Sequence, residues 1–256
     1  PNERILWEMS EELGLTVFGT SAKYIDSCRS IASRPKDFAD LSKLRMILST
    51  GSTLVEENFD YVYKNVKNDV HLASISGGTD IISCFALANP VLPVLRGEIQ
   101  CVGLGMDVHS YDISGESIFD KKGELVCRKA FPSMPIYFWN DNYDVKYNNA
   151  YFSKFEGVWN HGDFIRIKKN GSLKIYGRSD TTLNPGGVRI GTAEIYRIVE
   201  SLNDIEDSIV IGQDWLGDQR IVLFVKMKPD MILDSKKIVK IKNEIKNNCT
   251  PRHVPR

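Results

Sequence analysis

Two apolar runs, each ending in glycine and separated by one helical stretch, restrict the fold of this chain more than anything else in it. "LRMILST" runs into Gly51, "LVEENFDYVYKNV" has the apolar spacing of a helix, and "VHLASIS" runs into Gly77 and Gly78. Strand, glycine turn, helix and strand in that order predict a parallel pair joined by a crossover helix. Upstream, "ILWEMSEELGLTVFGTSAKYIDSCRS" has the same rhythm: a helix, Gly14, a short apolar strand and a helix led by Ser21. Residues 1–90 are therefore expected to form an α/β sheet layer, with ligands at the carboxyl ends of its strands.

Past about Pro90 the texture changes. "GEIQCVGLG", "DVHSYDI", "GELVCRK" and "DFIRIKKNGSLKIYG" are short strands divided by glycine or by the Asn170-Gly171 hairpin turn, so 91–179 reads as a β-rich subdomain. From Asp180 onward come a loop, a helix "TAEIYRIVESL", the strands "DSIVIGQ" and "RIVLFVKMK", and a lysine-rich amphipathic helix from Ser235. Residues 180–256 thus form a small α+β unit of their own.

Thirty-three basic and thirty-three acidic residues cancel, so no global field draws the chain to nucleic acid or an anionic membrane; any anion must be bound locally. The longest apolar run, "IISCFALA" from Ile81, is far short of the roughly twenty residues a bilayer span requires. Cys28, Cys84, Cys101, Cys127 and Cys249 are widely spread and form no CxxC pair, which favours reduced thiols and a cytosolic setting. The chain begins at Pro1 with no charged-then-apolar leader. His71, His109, His161 and His253 have no paired-ligand spacing and are expected in structural or surface roles.

Three glycine-containing turns follow strands: Gly51-Ser52, Gly77-Gly78-Thr79-Asp80 and Gly162-Asp163. Backbone freedom at a strand's carboxyl end lets main-chain N–H groups approach a ligand, and a Thr hydroxyl beside a carboxylate can hold a phosphate oxygen and its magnesium. Each turn also has a plain reading. "GGTD" alone is a tight turn in which Thr79 or Asp80 caps a following helix. Asp163 alone is a hairpin-edge residue, and Arg178 with Asp180 a surface ion pair worth about 0–1 kcal/mol.

In their order and spacing, "SISGGTDI", "GELVC", "FPSMP", "GVWNHGDF" and "GRSDTTLNPGGVRIGTAEIY" resemble the adenylate-forming superfamily of acyl-CoA synthetases, luciferases and peptide-synthetase adenylation domains, and more narrowly its acetoacetate-activating branch. The resemblance covers nearly the whole chain. It implies the C-terminal part of a large α/β AMP-binding domain (1–179) with its β-rich subdomain, then a small mobile α+β domain (180–256) hinged at Asp180. It also implies ATP, magnesium and CoA as substrates and metal, with acetoacetate as the acid. Thr79 would bond the nucleotide phosphate, and Asp80 would meet the magnesium, directly or through water. Gly51, Ser52 and Gly78 would line the nucleotide, Asp163 would accept from the ribose hydroxyls, and Arg178 would help fix the ribose. Arg189 would reach the phosphate side, and Gly187 would line the pantetheine path. At Gly77, where acetyl-specific relatives carry a bulky tryptophan, the acyl pocket would be deeper, which suits a four-carbon keto acid and other short or medium acids alike.

Two parts of that machinery have no counterpart here: the Gly- and Ser/Thr-rich phosphate loop, expected upstream of "GGTD", and the adenylation lysine, expected beyond "PRHVP". The chain is accordingly expected to be a fragment, inactive alone and completed by N- and C-terminal segments of the same protein. The alternatives are another short- or medium-chain acyl-CoA synthetase and a non-catalytic adenylate-binding remnant. The basic tail "KKIVKIKNEIKNNCTPRHVPR" reads as a solvated helix face, or as a landing strip for CoA phosphates with Arg252 as its contact.

Overall fold

The structure is a computed structural model that describes residues 2–179, 183, 185, 190–215 and 218–256. It divides into two compact units, Pro1–Ile175 and Tyr176–Arg256.

The first unit opens as expected. Helix α1 (Ile5–Glu12) leads through Gly14, at φ +58°, into β1 (Val17–Ser21) and α2 (Ala22–Ser30). Ser21 caps α2, its Oγ accepting from the Tyr24 N–H at 3.1 Å. Strand β2 (Met46–Thr50), α3 (Glu56–Tyr61), which runs on as a π turn (Val62–Val66), and β3 (His71–Ser74) complete a parallel sheet in the order β1-β2-β3. Its core gathers Trp7, Phe18, Ile25, Ile47, Phe59 and Leu72, with the Trp7 and Phe18 rings 4.8 Å apart.

A second core begins at Ile81, ahead of the expected change of texture near residue 90, and runs to Ile175. It joins two antiparallel sheets. One is β4 (Ser76–Gly78), β5 (Ser83–Leu87) and β6 (Cys101–Val102). The other has the order β10-β9-β8-β7, from β7 (Val108–Tyr111), β8 (Gly123–Cys127), β9 (Trp159–Ile167) and β10 (Leu173–Arg178), with α4 (Val145–Tyr151) inserted before β9. Asn170-Gly171 turns β9 into β10, Gly171 lying at φ +88°. The structure departs from two expectations in this region. "GGTD" starts no helix: β4 folds back on β5 as a hairpin, so Thr79 and Asp80 lie at its tip and cap nothing. Gly162-Asp163 is not a turn but an irregularity inside β9, where Glu124 pairs with Phe164 and Val126 with Asn160, leaving extra residues on the β9 side.

Glu98 joins the two sheets at the Ile99–Leu173 bridge. Its carboxylate accepts from Ser172 Oγ at 2.6 Å and pairs with the Lys168 ammonium. Burial pushes the Glu98 carboxyl up, but Lys168 and Ser172 outweigh it and hold the group below the usual glutamate range. A carboxylate depressed in the folded state contributes stability above its unfolded pKa of about 4.3, and that contribution disappears as pH falls through the folded value. The denaturant midpoint of the first unit is therefore expected to fall on acidification below about pH 4, with Glu98→Gln removing part of the fall. Equal pH slopes for the two proteins would remove Glu98 from the account.

In the second unit α5 (Thr192–Val199) and α6 (Ser235–Asn248) cover one face of the antiparallel pair β11 (Ile205–Trp215) and β12 (Asp218–Met227). Ile190, Ile195, Val199, Ile221 and Ile245 form its core. Asp234 caps α6, its carboxylate accepting from the Lys237 N–H at 2.8 Å, and Ile241 and Ile245 turn inward from the lysines, as a solvated basic face requires. Among the described residues no helix is long and apolar enough to cross a membrane.

Candidate functional site

In the first unit the predicted residues lie at the carboxyl end of the parallel sheet and on the hairpin that follows it, apart from Asp163 in β9. Gly51 succeeds the last residue of β2 at φ +84°, a left-handed conformation that favours glycine, with Ser52 exposed beside it. Ser49 pairs with Ser74, and its carbonyl also accepts from the Ile75 N–H at 2.9 Å, so β3 passes directly into β4. Gly51 and Gly77 thus leave the same end of the sheet.

Each glycine of the hairpin has a separate steric reason. A Cβ on Gly77 would lie 2.0 Å from the Ser83 carbonyl oxygen and 2.8 Å from Cys84 Cα, so β5 has taken the space of any side chain there. A Cβ on Gly78 would meet His161 Cε1 at 2.8 Å. The tip is short: the Ile82 N–H donates to the Thr79 carbonyl at 3.2 Å, and Ile82, although β-branched, sits at φ +48°.

His161, from β9, fills the space above those glycines. It is 7% exposed, its ring edge-on to Phe85 with centroids 4.9 Å apart. Trp159 Nε1–H donates to Nδ1 at 3.4 Å, which places the proton of the neutral ring on Nε2, and Nε2–H donates to the Gly77 carbonyl at 3.2 Å. Two residues on, Gly162 takes φ +78° and Asp163 is turned inward, also 7% exposed, with Oδ2 at 3.8 Å from His161 Nε2. The structure therefore brings Asp163 and the Gly77–Asp80 turn together, through a histidine whose sequence spacing points only to a structural or surface role. The alternation of Trp159, His161 and Asp163 in "VWNHGDF" is the signal that could have found it.

Asp80 is exposed at the hairpin tip, where the Tyr151 hydroxyl donates to its Oδ2. Tyr151 ends α4 and stacks on Trp159 with centroids 3.6 Å apart and planes 13° apart. The first turn of α4 is held by Asp141, whose carboxylate accepts from the N–H groups of Lys146 at 2.9 Å and Tyr147 at 2.8 Å. Burial opposes the charge on Asp141, but these donors hold its carboxyl below the usual aspartate range. Tyr151 lies outside every stretch singled out from the sequence.

The remaining predicted residues belong to the second unit. Arg178 is exposed at the end of β10. Asp180, Gly187 and Arg189 lie outside the described residues. Arg252 is exposed on the turn Pro251–His253, which is pinned by buried His253: Nδ1 lies 2.9 Å from Thr250 Oγ1 and Nε2 3.2 Å from Glu194 Oε2.

Chemically, the first unit offers an exposed hydroxyl and carboxylate at a glycine-rich tip, with a buried carboxylate one histidine away. Among the described residues no group of three or more His, Cys, Asp or Glu could hold a metal by itself. A single exposed carboxylate fits magnesium in its usual mode with nucleotides, shared between one protein oxygen, substrate phosphates and water.

No family model matches the chain. Individual relatives match it from end to end. It is 51% identical over 255 residues to acetoacetyl-coenzyme A synthetase of Rhizobium meliloti, and 45% identical over 257 residues to the acetoacetyl-CoA synthetases of Danio rerio and Mus musculus. All of this chain is covered in each case, and the chain spans 38–39% of the length of these relatives. Among solved structures, acetoacetyl-CoA synthetase from Streptomyces lividans superposes with a TM-score of 0.88 at 43% identity, over the whole of this chain and 39% of that one. An anthranilate CoA ligase solved with anthranoyl-AMP shares the fold at a TM-score of 0.75 and 18% identity, covering all of this chain and 48% of that one. By sequence along its full length, and by its fold, the chain corresponds to a segment of the acetoacetyl-CoA synthetases.

Proposed function

We propose that the polypeptide carrying this chain is an AMP-forming acetoacetate–CoA ligase, and that Gly77–Asp80 and Asp163 hold the phosphate and the ribose of one adenylate. The observation that supports the reading is the His161 contact: one ring nitrogen lies 3.2 Å from the Gly77 carbonyl and 3.8 Å from the buried Asp163 carboxylate. In the first step a carboxylate oxygen of the acid attacks the α-phosphorus of ATP, a mixed anhydride with AMP forms, and pyrophosphate leaves. In the second, the CoA thiolate attacks the acyl carbon, the C–S bond forms, the bond to AMP breaks, and the thiol proton passes to solvent.

Positioning and charge neutralisation supply most of the rate in such transfers. Thr79 would donate to an α-phosphate oxygen, and Asp80 would hold magnesium, which neutralises phosphate charge when bound. Gly51, Ser52 and Gly78 would border the nucleotide, with the acyl chain running along the Gly77 backbone. Asp163 offers two acceptors to the ribose hydroxyls, and Arg178 a donor fork to the same sugar. Asp180 as hinge, Gly187 at the pantetheine path, Arg189 at the phosphates and Arg252 at the CoA phosphates complete the proposal, with 180–256 as a domain that turns between the two steps. A cytosolic setting is part of this reading.

The test is acid preference. In side-by-side assays of AMP formation with acetate, butyrate and acetoacetate, the keto acid is expected to have the highest kcat/KM, by tenfold or more over acetate at about 1–3 kcal/mol of discrimination. Equal values for the three acids would end the assignment to acetoacetate.

A further inference from the structure

The Gly77–Asp80 turn is held from both ends by one continuous stack of side chains. At its start, His161 Nε2–H donates to the Gly77 carbonyl at 3.2 Å; at its tip, the Tyr151 hydroxyl donates to Asp80 Oδ2. Trp159 joins the two, stacked on the Tyr151 ring and donating from Nε1 to His161 Nδ1. Trp159 is 1% exposed and also touches the rings of Phe85, Phe131, Tyr147 and Phe152 edge-on or tilted. The bracket is thus anchored in the second core and reaches out to an exposed carboxylate.

The turn needs such an anchor. Two glycines allow its backbone many conformations, and an aspartate at an exposed tip samples several rotamers, each of which must be given up when a ligand binds. A hydroxyl fixed on one carboxylate oxygen selects a rotamer in advance and leaves the other oxygen for a ligand. Aspartate is also a short arm for reaching a cation, so a lateral error of its carboxylate is not absorbed by side-chain length.

We propose that Tyr151 is a positioning residue for Asp80, and through it for the phosphate-bound cation. The proposal deepens the functional reading above and rests on it. The 256-residue chain, its Tyr151→Phe and Asp80→Asn variants and the double variant would be titrated by calorimetry with MgATP and, separately, with adenosine. Tyr151→Phe keeps the ring on Trp159 and removes only the hydroxyl. It is expected to weaken MgATP about tenfold and to leave adenosine within about twofold, and to have no further effect once Asp80 is Asn. A loss shared equally by both ligands, no loss for either, or additive losses in the double variant would overturn the proposal. If the wild-type chain binds neither ligand, the functional reading of the site fails by itself. Backbone amide resonances then decide on the bracket: shifts at Thr79–Ile82 in Tyr151→Phe support it, and unmoved resonances overturn it.

Discussion

Replacing Gly77 by alanine is expected to destabilise the first unit by about 3 kcal/mol, lowering its thermal midpoint by roughly 6–12 °C. The obstacle is backbone. A methyl group at this position would stand 2.0 Å from the Ser83 carbonyl oxygen, 2.9 Å from the Ser83 carbonyl carbon and 2.8 Å from Cys84 Cα, where no side-chain rotation can relieve it. Either β5 moves away from β4, breaking the Gly77–Cys84 and Gly78–Ser83 pairings, or β4 shifts and draws its carbonyl from His161. The control is Gly19→Ala on β1, where nothing lies within 4 Å of the added carbon and the change should stay within about 0.5 kcal/mol. Equal midpoints for the two variants would show that the hairpin yields easily. The same geometry bears on the acyl pocket proposed at Gly77: a bulky residue there would require β5 to be placed differently, so the proposed depth would depend on the hairpin as well as on one missing side chain.

The parallel sheet was legible because each of its elements is local. Apolar runs of strand length, Gly14 and Gly51 at the turns, and Ser21 as a cap fix α1 to β3 without reference to distant residues. The hairpin β4–β5 was not, because its tip contains no Asn-Gly or Asp-Gly turn pair and instead places Ile82 in a left-handed conformation; the apolar run from Ile81 divides there, Ile81 into the core and Ile82 into solvent. The irregularity at Gly162 was hidden for a similar reason. A glycine inside an apolar, alternating strand is compatible with a turn or a bulge, and only pairing with β8 distinguishes them. Around the candidate site, the glycine-containing turns and their acids stand out along the sequence, and the resemblance gives them their expected roles, whereas His161, Trp159 and Tyr151 do not stand out. Their roles come from side-chain contacts across 71 to 84 residues of sequence, Tyr151 to Asp80 and His161 to Gly77, and no periodicity reports those.

Asp163→Ala is expected to weaken AMP binding to the chain about 100-fold, near 3 kcal/mol for two hydrogen bonds to a buried carboxylate. Asp163 is 7% exposed, and a strand would give such a position to an apolar residue unless the charge had partners. Gly162, at φ +78°, turns the chain so that Asp163 faces inward, close to His161 and thereby to the Gly77–Asp80 turn. Loss of the carboxylate has two separable consequences. If it only supports His161, the variant loses stability, and its affinity for AMP and for 2′,3′-dideoxy-AMP falls by the same factor. If it accepts from the ribose, wild type prefers AMP over the dideoxy nucleotide by about 100-fold and the variant by none, since the second ligand lacks the hydroxyls that the carboxylate meets. Asp163→Asn separates charge from shape, keeping one acceptor oxygen in a side chain of the same size, and should fall between the two. A preference for AMP that survives in Asp163→Ala would assign the ribose to another group and leave Asp163 a part of the fold.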